Sequence, residues 1–217
     1  MMESELKRID PVSRQAGKGA DVAHGLSPMD PPDAYTPPGI ASVATAEMHP
    51  FLQGYIDEHV RFLVEVQSFE DALSEIQKAG YTKELDARLR HFFSFFDEEF
   101  IRHHQREEVA LFPLLHVRLI ADGEHSKGTD EVTTPVDVML NEHTKAIQLA
   151  AVVLNFLGLA FRFPDQKTRL VILDAALEQG KNLVELLRLH VFREDNVVFP
   201  MAQRLISGWE FDELGKG

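Results

Sequence analysis

Two stretches of the chain carry the same metal-competent side chains in the same order. The first runs His103, Glu107, Glu108, Phe112, Pro113, and the second His190, Glu194, Asp195, Phe199, Pro200. Both fit His-x-x-x-Glu-(Glu/Asp)-x-x-x-Phe-Pro. Each is preceded by another shared signature, Asp57-Glu58-His59 in the first half and Asn141-Glu142-His143 in the second. A repeat inside one chain predicts pseudo-two-fold symmetry. Residues four apart on a helix lie one turn from each other on one face, so His103 and Glu107 aim at one spot, as do His190 and Glu194. Apolar neighbours mark that face: Phe96, Phe100, Ala110 and Leu111 beside the first pair, Leu186, Leu187, Val197 and Val198 beside the second. Tyr55, Ile56, Phe62 and Leu63 flank His59, and Met139, Leu140, Ile147 and Ala150 flank His143. All six polar residues are thus expected on core-facing sides. A buried unpaired carboxylate costs several kcal/mol or more, and no arginine or lysine falls on these faces, so Glu107 and Glu194 require another cation.

The chain has no cysteine, which excludes disulfides, thiolate metal sites and iron–sulfur clusters and leaves imidazole and oxygen as ligands. That donor set suits iron, manganese, zinc or copper. Six ligands fit two metals better than one. The simplest assignment gives each metal two histidines and lets the two glutamates bridge. Positions then remain for an oxo or hydroxo bridge and a small ligand, which favours iron chemistry with dioxygen, nitric oxide or peroxide. His104 and Glu108 are also four apart, but Glu107 precedes Pro113 by the same interval at which Glu194 precedes Pro200. His104 is therefore expected at the rim, or as a hydrogen-bond donor to a ligand, and its removal is expected to matter little. His24, His49, His91, His116 and His125 fit no pattern and read as surface residues. Tyr55 reads as a partly buried core residue, and the phenylalanines of the second helix as core.

The elements that must position these residues are helices. Apolar spacing predicts helix one over about 46–78, ended by Gly80, and helix two over about 82–111, broken or kinked by Pro113 with a short helix to Ile120. Helix three starts with Thr134 as its cap and Pro135 in its first turn and reaches about 161; helix four covers about 166–198. The apolar run from Ala146 to Phe163 is interrupted by polar residues and is short for a bilayer span, so it reads as a buried helix. No segment alternates at period two. The fold class is all-α, an antiparallel up-down four-helix bundle over 47–206. A proline-rich arm over 1–46, extended or disordered, precedes it, and a C-terminal tail covers 207–217.

With 22 Lys+Arg against 35 Asp+Glu, the formal net charge is -13. This disfavours nucleic-acid binding and docking on anionic lipid. The N-terminus lacks a charged-then-apolar signal pattern, and a cytoplasmic protein is expected.

The quoted motifs resemble those of hemerythrin-like (HHE cation-binding) domains across about 47–206. They look closest to the di-iron domain of bacterial iron-centre-repair and nitric-oxide-stress proteins. The resemblance implies two iron ions, oxo- or hydroxo-bridged, held by His59, His103, Glu107, His143, His190 and Glu194, with manganese or zinc as substitutes. Oxygen-carrying hemerythrins have a fifth histidine one turn after that of the third helix, and here Ile147 stands there. This implies a more symmetric and more open centre, and it counts against reversible oxygen transport. The repair proteins carry a cysteine-bearing N-terminal domain that this chain lacks. The expected function is binding or sensing of dioxygen, nitric oxide or iron. The alternatives are turnover of peroxide or nitric oxide, or a structural metal, which a six-ligand set disfavours. Any protein partner is unknown at this stage.

Overall fold

A computed structural model describes residues 43–126 and 132–216. The expected arm therefore lies outside the described residues except for 43–46, as does His24.

Helix α1, Pro50–Ala79, begins under His49, whose Nδ1 accepts the Phe51 N–H at 3.2 Å, with Pro50 in the first turn. It ends at Gly80, whose φ of 87° is a conformation that only glycine adopts without strain. The second rod is continuous but not uniform. It comprises α2 (Lys83–Phe95), a π-turn (Phe96–Phe100), α3 (Ile101–Arg106), a second π-turn (Glu107–Leu111) and α4 (Phe112–Asp122). Thr82 caps its start and Gly123, at φ 83°, its end. The third rod is α5, Pro135–Ala160, opened by the Thr134–Asp137 capping box. The fourth comprises α6 (Gln166–Arg193), a π-turn (Glu194–Val198) and α7 (Phe199–Leu205). The described residues contain no strand, and the four rods, joined by short connections, form an up-down bundle.

Pro113 does not break the second rod. A proline lacks the N–H that would bond the carbonyl four residues back, and its ring crowds that carbonyl. The chain widens one turn just before it, so that the Phe112 N–H bonds the Glu107 carbonyl five residues back. Pro200 is accommodated identically, with the Phe199 N–H on the Glu194 carbonyl. Both widened turns begin at a glutamate of the repeat, in keeping with the frequent placement of π-bulges at functional sites.

The expected tail contains a further helix, α8, Gly208–Leu214, opened by a Ser207–Glu210 capping box. It buries Phe211, which stacks on the His49 ring at 5.0 Å between centroids. His49 is thus a helix cap and packing partner, not a free surface residue.

Two apolar cores fill the bundle. One is built around Phe62, Phe69, Phe92, Phe96 and Leu183, the other around Leu52, Leu115, Met139, Phe199 and Phe211. The polar residues of the repeat fall between them along every rod: His59 between Ile56 and Phe62, His143 between Met139 and Ala146. Within the first core α1 and α6 pack closely, since a Cβ at Gly180 of α6 would lie 2.7 Å from Leu73 Cδ1 of α1. Three residues expected to flank the site face outward instead: Leu63, Leu140 and Ile147. On α5 the buried stripe runs Met139, His143, Ala146, Ala150, Val153, so Ala146 takes the inward place and Ile147 is turned out. The same stripe corrects the reading of 146–163 as buried. By length and composition α5 could cross a membrane, yet only one face is covered, and Val152, Leu154 and Leu159 are exposed.

Candidate metal centre

All six residues of the repeat meet in the layer between the cores. His59, His103, Glu107, His143, His190 and Glu194 are each at most 3% exposed. Their ligand atoms form two overlapping groups, each within 4.8 Å. His59, His103, Glu107 and Glu194 make one; Glu107, His143, His190 and Glu194 make the other. The two glutamates belong to both. His59 Nε2 lies 3.2 Å from one Glu194 oxygen, and His190 Nε2 3.3 Å from the other. His103 Nε2 is 3.3 Å from one Glu107 oxygen, and His143 Nε2 3.6 Å from the other. Adjacent ligands on one transition metal, each about 2.0–2.2 Å from it, stand about 3 Å apart, which these spacings approach.

The other nitrogen of every histidine is tied down. Carboxylates only accept, so each Nδ1 is the donor. Nδ1–H of His59 donates to Asp195 and that of His103 to Glu58, both at 2.7 Å. Nδ1–H of His143 donates to Glu108 at 2.7 Å and that of His190 to Glu142 at 3.2 Å. This fixes the tautomer with its Nε2 lone pair aimed inward, the arrangement that orients metal-binding histidines. The pattern is two-fold. The glutamate preceding His59 or His143 holds the histidine of its own half, and the acid following each central glutamate holds a histidine of the other half. Arginines close the outer ends, with Arg106 paired to Glu58 and Arg193 to Glu142. With its two donors, Glu58 has its carboxyl pulled down to about 2, although its partial burial opposes this.

The layer is unbalanced without a cation. Neither oxygen of Glu107 or of Glu194 has a well-formed hydrogen bond, nor has Nε2 of His143 or His190. The Nε2 atoms of His59 and His103 face each other at 3.0 Å, lone pair to lone pair when both are neutral. Such orphaned donor atoms, all of metal-binding type and convergent on two spots, fit a pair of cations.

The metal-free layer must recruit protons instead. Burial disfavours the His59 cation, but Asp195 and Glu194 outweigh it and hold its pKa at about 10. Burial also opposes charge on His103, yet Glu107 and Glu58 keep it at about 8. At His190 burial wins and pushes the pKa down to about 4. Opposite stability limbs follow. His59, raised above its unfolded value of about 6.5, stabilises the fold below that pH, and this is lost as pH rises towards 10. His190, depressed, stabilises the fold above about 6.5, and this is lost as pH falls towards 4. Urea midpoints of metal-free protein will therefore peak between about pH 6 and 7, while metal-loaded protein keeps its stability on the alkaline side, where the cation replaces the His59 proton. A flat metal-free profile from pH 4 to 10 contradicts this protonation scheme.

His104 departs from expectation. It is 3% exposed, not at the rim, and neither ring nitrogen has a hydrogen-bond partner. Its ring stacks on His143 at 3.6 Å, and burial drives its pKa well below the usual histidine value. Tyr55 is buried edge-on against His103, and burial raises its phenol pKa. Among the remaining histidines, His91 is exposed, while His116 and His125 are partly covered and lie outside the layer. Sequence reasoning assigned no role to Glu58, Glu108, Glu142, Asp195, Arg106 or Arg193. The signal was present, since all six are repeated at equivalent places, with arginine three residues after His103 and after His190.

The family profile of the hemerythrin HHE cation-binding domain matches residues 52–202. No curated protein matches the chain. The matched span contains all six convergent residues and their four carboxylate partners, and the chain belongs to the hemerythrin family.

Proposed function

We propose that the chain is a non-haem di-iron protein that binds or senses dioxygen, nitric oxide or iron itself. The observation that carries this reading is the pair of four-ligand groups sharing Glu107 and Glu194. Each group would hold one metal, with the two carboxylates spanning both. Three features of the chain serve such a centre. The Nδ1-bound carboxylates hold each imidazole in the metal-binding tautomer. Their negative charge, relayed through the rings, favours the more oxidised metal. The aromatic surround of Tyr55, Phe62, Phe100, Phe112 and Phe199 limits water, and the depth of the layer supports a small ligand over an organic substrate. Iron, when bound, supplies Lewis-acid and one-electron chemistry toward diatomic molecules and peroxide.

Metal analysis of protein purified without added metal tests the first half of the reading, with two iron ions per chain expected. Stopped-flow absorbance of the reduced protein mixed with dioxygen, nitric oxide or peroxide tests the second. A spectrum that reverses when the gas is removed supports binding or sensing. Steady consumption of peroxide or nitric oxide replaces that reading with turnover, and one zinc per chain overturns it.

A further inference from the structure

The outer face of α5 carries no exposed charge. From Val138 to Phe161 its only ionisable residues are Glu142, His143 and Lys145; the first two are buried in the metal layer and Lys145 is half-buried. The other three rods turn charged residues outward, among them Asp57, Arg102 and Glu178. In place of charge α5 presents one line of exposed residues: Leu140, Thr144, Ile147, Ala151, Leu154 and Gly158. At about 100° and about 1.5 Å per residue, they fall within a stripe about 80° wide and about 27 Å long. Its steps of four and three residues are those of a seam between two helices.

Large and small members alternate along that line, and the pattern is its own complement when reversed. About a midpoint at residue 149, Leu140 falls opposite Gly158, Leu154 opposite Thr144, and Ile147 opposite Ala151. Every large side chain then meets a small one. A face that fits its own reverse fits a second copy across a two-fold axis, where residue i meets j and j meets i. Nothing within the described residues calls for the glycine. A Cβ at Gly158 would meet no atom within 4 Å, and glycine in a helix interior is destabilising. The polar groups on and beside the line bond to their own helix. Thr144 Oγ1 donates to the Leu140 carbonyl at 3.1 Å, and Asn155 Nδ2 to the Ala151 carbonyl at 2.7 Å.

We propose that this face of α5 pairs antiparallel with the same face of a second copy of the chain, in a two-fold dimer centred near residue 149. Charge selects that occupant. Two chains of net charge -13 repel over most of their surface, and the uncharged strip lets them meet without burying like charges. One helix width of contact is smaller than the roughly 800 Å² per partner of a standard interface, so the dimer is weak and concentration-dependent. A lipid surface is the competing occupant, since α5 is long and apolar enough to cross a membrane. Lipid tails, however, make no demand for a small residue opposite each large one.

Sedimentation of the full-length protein from low micromolar to near-millimolar concentration measures the dimer constant directly. Ile147→Glu places two carboxylates beside the axis and should weaken dimerisation at least about 10-fold. Leu140→Ala and Gly158→Leu should each weaken it, and the double variant should recover wild-type association, because the large and small partners have changed places. Unaltered helix content and metal content in each variant exclude misfolding as the cause. A wild type that stays monomeric throughout, a dimer that Ile147→Glu leaves intact, or a double variant no better than its parents overturns the pairing. So does monomeric protein that floats with phosphatidylcholine vesicles and loses that property in Ile147→Glu, which gives the face to lipid.

Discussion

If the centre holds two metals as proposed, changing Glu194 to glutamine will deprive the protein of both, not one. A glutamate serving a single ion would leave the other in place. Here one oxygen of Glu194 faces His59 and the other faces His190, and the residue belongs to both ligand groups. Glutamine preserves the volume but removes the negative charge and replaces one oxygen by an NH2 group, so one position loses its ligand and the other keeps only a weak, neutral amide oxygen. The effect should exceed the 10–100-fold weakening expected from changing an outer partner such as Asp195. Metal content after dialysis should fall below about a tenth of wild type at both positions. The pairing is decisive: a variant that retains one tightly bound ion per chain shows that Glu194 does not bridge. Glu107→Gln should reproduce the double loss, since its two oxygens face His103 and His143.

Chelation should produce the second large effect, a marked fall in thermal stability with the helices still formed at low temperature. A ligand that binds only the folded chain stabilises it by about 4 kcal/mol per site at a thousandfold excess over Kd. For a chain of this size about 1 kcal/mol corresponds to roughly 2–4 °C in Tm, so each ion is worth on the order of 8–16 °C. The metal-free layer is not empty of support, because protonated His59 and His103 partly offset the two carboxylates. The chelated protein should therefore stay folded near neutral pH and melt earlier. An unchanged Tm after complete metal removal, checked by metal analysis, would show that the layer is balanced without cations.

Much of this arrangement can be read from the chain. The duplicated His-x-x-x-Glu turns announce both the symmetry and the inward face, because a three-to-four-residue spacing beside phenylalanines and leucines leaves few other placements. The start of α5 was equally open to reading, since Thr134 and Pro135 are each a known opening residue in its expected place. The widened turns at Glu107 and Glu194 were not, because an i to i+5 bond differs from an ordinary turn by one residue and leaves no periodic trace. The carboxylates that hold the rings were hidden for another reason. Glu108 and Asp195 sit about 100° around the helix from the inward glutamates and read as solvent residues. Their role exists only once a second rod brings His143 or His59 against them. His104 was misplaced by the same angular argument. A rod surrounded by three others buries more than one stripe, and adjacent residues His103 and His104 can both be inside. Leu63, Leu140 and Ile147 err in the opposite direction, lying just beyond the edge of a stripe whose centre the sequence does not mark.

The exchange of partners across the repeat has a consequence for how the molecule coheres. The first hairpin supplies His59, His103 and Glu107, yet its metal position borrows Glu194 from the second, which in turn borrows Glu107. Outside the ligands, Glu108 reaches over to His143 and Asp195 reaches back to His59. Neither hairpin owns a complete position, so bound cations would form a seam stitched through both halves of the chain. Cut in the connection after Gly123, the two pieces would part or stay joined according to whether that seam is filled.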